Sequence, residues 1–303
     1  MREKFIIFLA LSLILIIFFP SFCPPRAKMP LSSQLPKEKE KPITLIAVGD
    51  VMLGRSVNAK MHSLNNFTYP FLKTAGFLNS AHLVFINLEA PFLDDCPIIN
   101  EGMVFCADPR AIEGLVLAGI NVVNLTNNHI RNYGQEGIVL TQNLLHKSEI
   151  DFIGPEENFL IKEINKTRFG FLGFDLTSGY QEEKIINQVE EEKNKVHILI
   201  VSLHWGIEYA REPSSSQVKL AHRIVVVGAD LILGHHPHVI QKGEDYQEAK
   251  IVYSLGNFIF DQPWSEETKK GLVGVFTFQN KKLVEAEFKE VYIQNLCQPE
   301  FVD

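Results

Sequence analysis

The sequence predicts an α/β protein whose sheet is covered on both faces, and three observations carry that expectation. Near-continuous apolar runs rich in β-branched residues recur along the chain, helical patterns closed by glycine lie between them, and each apolar run stops at polar, ligand-type side chains. In sheets of this kind ligands bind beyond the carboxyl ends of the strands. The polar clusters fall at those ends.

The elements follow in chain order. Arg2 and Lys4 precede the uncharged run FIIFLALSLILIIFFPSF, 18 residues long and near the lower limit for crossing a bilayer, so residues 1–22 are expected to form a membrane anchor or uncleaved signal. A first short basic segment usually stays in the cytoplasm. The expected location is therefore the cell membrane, held by a single N-terminal anchor with the globular part outside the cytoplasm. Residues 23–42, CPPRAKMPLSSQLPKEKEKP, are rich in Pro, Lys and Glu and read as a tether.

From residue 43 to residue 303 the pattern is globular. ITLIAVGD (43–50) is a buried-strand pattern stopped by Gly49 and Asp50. LVFINLE (83–89) ends at Glu89, INVVNLTNNH (120–129) at Asn128 and His129, and HILIVSLHWG (197–206) at His204. ADLILGHH (229–236) ends in histidines that continue to His238, and IVYSLGNF (251–258) at Asn257. Helices are expected over 108–118, 135–147 and 217–227, the first closed by Gly119 and the last by Gly228. Two strands around Gln279-Asn-Lys-Lys282 are expected to extend a sheet antiparallel near the C-terminus.

Composition excludes some functions. With 303 residues and 46% hydrophobic content the chain can bury a large core. A net charge of −7 without a basic stripe argues against nucleic acid as a partner. None of the four cysteines sits in a CxxC pair, so thiolate zinc sites are excluded, while Cys96 and Cys106 leave two alternatives open, a loop disulfide or two thiols.

Two carboxylates, an amide oxygen and several imidazoles gathered by one sheet suit a borderline divalent cation. Each residue alone is ordinary: an Asp after a strand is commonly a turn former, and a lone His after an apolar run is commonly a hydrogen-bonded core residue. The ensemble over successive strand ends is what points to a site. His62, His82, His146, His197 and His222 fall at element starts or on helix faces and read as structural or solvated. Trp205, Tyr209, Phe258, Phe260 and Trp264 beside these residues suit either a substrate groove or packing beneath loops.

The motifs GDVMLGR (49–55), NLEAP (87–91), NLTNNHIRNYG (124–134), SLHWGIEY (202–209), GHHPHVIQ (234–241) and YSLGNFIFDQ (253–262) resemble the CapA family of poly-γ-glutamate capsule synthesis, within the calcineurin-like metallophosphatase superfamily. The resemblance implies a four-layer α/β/β/α sandwich with two divalent ions, Mn, Fe or Zn. It assigns Asp50, Glu89, Asn128, His204, His236 and His238 as metal ligands and His129 as general acid or transition-state stabiliser. Arg55 is expected to face substrate as a second catalytic residue, and His235 and the Asn257 loop are expected to bind substrate. Two departures stand out: Met52 occupies the place of a ligating histidine in the broader phosphatases, and Asn132 that of an aspartate. The implied function is a membrane-anchored protein with a metal-dependent, phosphoesterase-like hydrolase site, acting in synthesis, export or processing of a capsule polymer. Its implied partners are an anionic cell-surface polymer and membrane-bound capsule-synthesis subunits. The alternatives are a general metal-dependent phosphoesterase and a non-catalytic, polymer-binding assembly subunit on the same fold.

Overall fold

A computed structural model describes residues 41–302. The segment expected to form the anchor, and that expected to form the tether up to residue 40, lie outside the described residues, among which no helix is long and apolar enough to cross a membrane.

The chain forms strands β1 (Ile43–Val51), β2 (Leu83–Leu88), β3 (Val122–Asn124), β4 (Asp151–Ile153), β5 (Phe159–Ile164), β6 (Thr167–Asp175), β7 (Ile198–His204) and β8 (Leu231–His235). They continue as β9 (Ile240–Gln241), β10 (Glu244–Tyr246), β11 (Ala249–Val252), β12 (Ser254–Leu255), β13 (Asn257–Ile259), β14 (Lys270–Gln279), β15 (Lys282–Gln294) and β16 (Gln298–Phe301). The helices are α1 (Arg55–Leu64), α2 (Ala75–Leu78), α3 (Ile112–Leu117), α4 (Gly134–Lys147), α5 (Glu182–Lys193) and α6 (Ser215–Val226).

Two main sheets result. One runs β16-β15-β14-β1-β2-β3-β4 with β13 also paired to β1, and the other runs β10-β11-β8-β7-β6-β5. Period-2 alternation decides which face each residue serves. On β1, Leu45 and Ala47 point into the core between the sheets with Phe85, Phe171, Ile200 and Leu233, whereas Ile46 and Val48 face the layer containing α1 to α4. On β7, Ile198 and Ile200 join the inter-sheet core, while Leu199, Val201 and Leu203 pack under α5 and α6. Strands apolar on both faces thus build the four-layer α/β/β/α sandwich, each fully buried aliphatic side chain contributing roughly 1.5–3 kcal/mol.

Helix ends follow local chemistry. Ser214 and Gln217 form a reciprocal capping box at the start of α6, and Gly228 follows its end at φ +117°. The helix expected over 108–118 is split, because Pro109 opens a 3₁₀ turn over Pro109–Ala111, capped by Asp108, before α3 begins. The strand expected over 251–258 is also broken. Gly256, at φ +69°, turns the chain after β11 and β12, so that it leaves the second sheet and joins the first as β13. The C-terminal hairpin of β14 and β15 extends the first sheet antiparallel through β1.

The turn at Gly256 presses against Gly49, where an added Cβ would lie 2.2 Å from the Gly256 carbonyl oxygen. Asp50 N donates to that same oxygen at 2.8 Å, so neither backbone can retreat without breaking the crossover. Gly49→Ala is expected to cost about 2–4 kcal/mol, read from urea unfolding. An unchanged midpoint would show that this contact yields freely.

Candidate metal centre

The carboxyl ends of the parallel strands converge. Asp50 lies near the end of β1, Glu89 one residue beyond β2, Asn128 and His129 on the loop after β3, His204 at the end of β7, and His235, His236 and His238 at and just beyond the end of β8. Asp50, Glu89 and His204 are wholly buried and His238 nearly so. Asp50, Glu89 and His204 can each offer one donor atom, all within 4.8 Å of one another; Glu208, His236 and His238 form a second such group.

Asp50 holds the two halves together. It accepts from Asn87 Nδ2 at 2.9 Å and from the His236 backbone N–H at 3.2 Å, and its carboxylate lies 2.9 Å from His235 Nδ1 and 3.2 Å from His238 Nδ1. Burial alone would raise its pKa, but the histidine hydrogen bonds win and hold it well below the usual carboxylate range. The loop it grips is strained, with His236 at φ +93° and His238 at φ +57°.

Glu89 is the opposite case. Asn87 Nδ2 donates to Oε1 at 3.0 Å, while Oε2 is buried with no hydrogen-bond partner. Burial, reinforced by the negative charge of Asp50, pushes its pKa well above the ordinary value. A buried carboxylate oxygen without a donor costs free energy unless a cation meets it. This orphaned atom, with the Asp, Glu, Asn and His donors around it, fits a divalent ion.

The imidazoles agree with that reading. Burial holds His204 well below its ordinary pKa, and burial together with His238 lowers His236, so both stay neutral, the form that ligates. His204 Nε2 lies 2.9 Å from Asn128 Oδ1, two donor atoms side by side. Asn257 Oδ1 lies 3.0 Å from His238 Nδ1 and helps orient that ring.

His129 lies beside this group. Phe105 stacks on it at 4.0 Å, Asn132 Oδ1 lies 3.2 Å from Nδ1, and burial depresses its pKa to about 4. Asn132 also accepts the Phe105 backbone N–H at 2.7 Å, so the amide at this position ties the ring to the neighbouring loop. That loop is closed by a Cys96–Cys106 disulfide, which decides the alternative the spacing left open.

Three expected substrate contacts sit differently. Asn257 and His235 are fully buried: the Asn257 amide donates to Gln262 and to the Thr268 carbonyl, and His235 backs Asp50. Both stand behind the ligand candidates, where the sequence reading had them facing substrate. The Arg55 guanidinium pairs with Asp261, donates to the Gly102 carbonyl at 2.9 Å and lies over Phe105, so its charge is largely committed. Trp205 packs in the core against Tyr253, whereas Tyr209 and Trp264 meet edge to face on the surface.

Sequence reasoning missed Asn87 and Glu208. Asn87 Nδ2 reaches Asp50, Glu89 and, at 3.3 Å, His204 Nδ1, while its Oδ1 accepts from Asn124 at 2.8 Å. The signal was its spacing of two from Glu89 in an extended segment, which points both residues to one face. Glu208 sat inside a motif already singled out, four residues after His204.

Residues 44–262 match the model of the bacterial capsule synthesis protein family PGA_cap. The chain belongs to this family. Among curated relatives, a capsule biosynthesis protein CapA of Bacillus anthracis is 31% identical over 265 residues, covering 78% of this chain. The chain spans 64% of that relative's length. A PGA biosynthesis protein CapA of Bacillus subtilis is 27% identical, with 88% of this chain and 75% of the relative covered. Among solved structures, a phosphatase from Mycoplasma pneumoniae superposes with a TM-score of 0.61 at 14% identity, covering 84% of this chain and 94% of that one. A Thermus thermophilus protein gives 0.57 at 15% identity, covering 83% and 100%. These likenesses show the fold, the α/β/β/α sandwich that the chain shares with both structures.

Proposed function

We propose that this PGA_cap family member carries a metal-dependent hydrolase-type site and acts in synthesis, export or processing of a poly-γ-glutamate-like capsule polymer. The single observation that supports this most is the orphaned Glu89 carboxylate oxygen, buried with Asp50 and His204 and beside the group of Glu208, His236 and His238. The capsule role is supported by the names of the Bacillus relatives. The apolar N-terminal run supports a membrane anchor, and Arg2 and Lys4 before it support a domain outside the cytoplasm.

Asp50, Glu89, Asn128 and His204 would hold one ion and His236 and His238 a second, with Asp50 hydrogen-bonded to the loop that carries both histidines. Bound divalent ions supply an activated water at neutral pH and positive charge for a developing oxyanion. The chain's own residues do the rest. Asn87, Asn257 and His235 orient the ligands, and His129, kept neutral by burial, places a ring nitrogen beside Asn128 for a proton or a hydrogen bond. The net charge of −7 disfavours an anionic polymer on the surface at large, so the bound cations would provide its attraction.

The test is metal content and hydrolysis by the full-length chain, purified without affinity metals and compared with Glu89→Ala. Stoichiometric Mn, Fe or Zn lost in the variant, with hydrolysis of a glutamyl polymer or a phosphoester lost in parallel, is expected. Folded wild-type protein that takes up no divalent ion would leave a polymer-binding assembly subunit instead. Cleavage of phosphoesters alone would make it a general phosphoesterase.

A further inference from the structure

We propose that Glu208 is a ligand of the second ion and supplies the anionic donor that β1 does not. This rests on the metal-centre reading above and adds a residue to it. Two residues beyond Asp50, Met52 offers only a thioether, a poor donor for a hard cation. Its sulfur is also engaged: Met52 is fully buried in the core beneath the helices and its Sδ accepts the Gly54 backbone N–H at 3.0 Å. Strand β1 therefore gives the centre Asp50 and nothing further.

The missing donor arrives from the other sheet. Gly206, at φ +89°, turns the chain after β7, and Glu208 follows half-buried, with a carboxylate oxygen within 4.8 Å of donor nitrogens on both His236 and His238. Two backbone hydrogen bonds clip this loop to the histidine turn on either side of Glu208: Trp205 N to His235 O at 3.1 Å and Tyr209 N to Pro237 O at 2.8 Å. A carboxylate on a surface loop normally pays side-chain entropy to bind. Here the backbone holds it where an ion on His236 and His238 would need an anionic partner. The set then comprises Asp50, Glu208, His236 and His238, two carboxylates and two imidazoles, which suits Mn or Zn better than a soft cation. Without Glu208 the second ion would keep one carboxylate, shared with its neighbour.

Glu208→Gln tests this by metal stoichiometry rather than turnover. Full-length wild type and variant are dialysed against the same free Mn²⁺, analysed for bound metal, and examined by electron paramagnetic resonance. Wild type is expected to bind two ions with an exchange-coupled spectrum. The variant should hold one, with a mononuclear spectrum and at least tenfold weaker uptake of the second. Circular dichroism confirms that it is folded, and Glu208→Asp, which keeps the charge, should bind the second ion more tightly than Glu208→Gln. A Glu208→Gln protein that retains two coupled ions at wild-type affinity would overturn the role of Glu208 while leaving the metal centre standing. Wild type that binds no ion would overturn both.

Discussion

Glu89→Gln is expected to stabilise the metal-free protein and to abolish the further stabilisation that divalent metal gives the wild type. At pH 7 the wild-type chain must either bury an ionised carboxylate beside Asp50 with one oxygen unpaired, or take up a proton that the unfolded chain would not bind. Either course costs stability. Glutamine removes the charge, keeps an acceptor for Asn87 Nδ2, and has an amide N–H to donate to Asp50, whose charge bears on this position. A gain of about 1–3 kcal/mol in EDTA is expected. In Mn²⁺ the order should reverse, because a ligand present at a hundredfold over its Kd stabilises the wild type by about 2.7 kcal/mol and the variant has lost an anionic donor. Thermal unfolding of both proteins in EDTA and in Mn²⁺ provides the measurement. A variant less stable than wild type in EDTA would mean that a partner within the protein already satisfies Glu89, and the metal reading would lose its main support.

The same residue shows what a sequence can and cannot disclose. Strand ends were legible because a run apolar on both faces must stop where the chain meets a polar environment, and the stops at Asp50, Glu89, Asn128, His204 and His236 fall at one edge of the sandwich. The antiparallel hairpin after Lys270 was legible from its turn residues. The division into two sheets was not visible in hydrophobic pattern alone, since Leu45 and Leu199 look alike in sequence and serve different cores. The crossover at Gly256 escaped notice for a related reason: IVYSLGNF reads as one strand, and only the positive φ of its glycine reveals that Asn257 belongs to the other sheet. That hidden turn explains why Asn257 lies behind His238. Glu208 went unread because a loop carboxylate has no periodicity to mark it, and only the backbone bonds of its neighbours to the histidine turn place it near the centre.

Acid is expected to destabilise the metal-free protein from just below neutrality, more steeply in Glu89→Gln than in wild type. Burial holds His129 at about 4 against an ordinary 6.5 and lowers His204 and His236 in the same direction. A histidine with a depressed folded pKa binds fewer protons than the unfolded chain, so its contribution is fully present above about 6.5 and is lost as pH falls toward the folded value. For His129 alone this amounts to about 2 kcal/mol between pH 7 and pH 5, at roughly 1.4 kcal/mol per pKa unit. Asp50, held low by its histidines despite burial, acts with the same sign nearer its own range. Glu89 opposes them: its folded pKa is raised, so the folded state gains protons first and recovers stability as pH falls through that value toward 4.5. Wild type therefore loses stability on acidification with part of the loss offset, and Glu89→Gln loses it without the offset. The advantage of the variant in EDTA should shrink with each step from pH 8 to pH 5, as followed by urea midpoints. Parallel profiles would show that Glu89 does not titrate differently on folding, and a flat Glu89→Gln profile would show that the imidazoles are not held neutral by the fold.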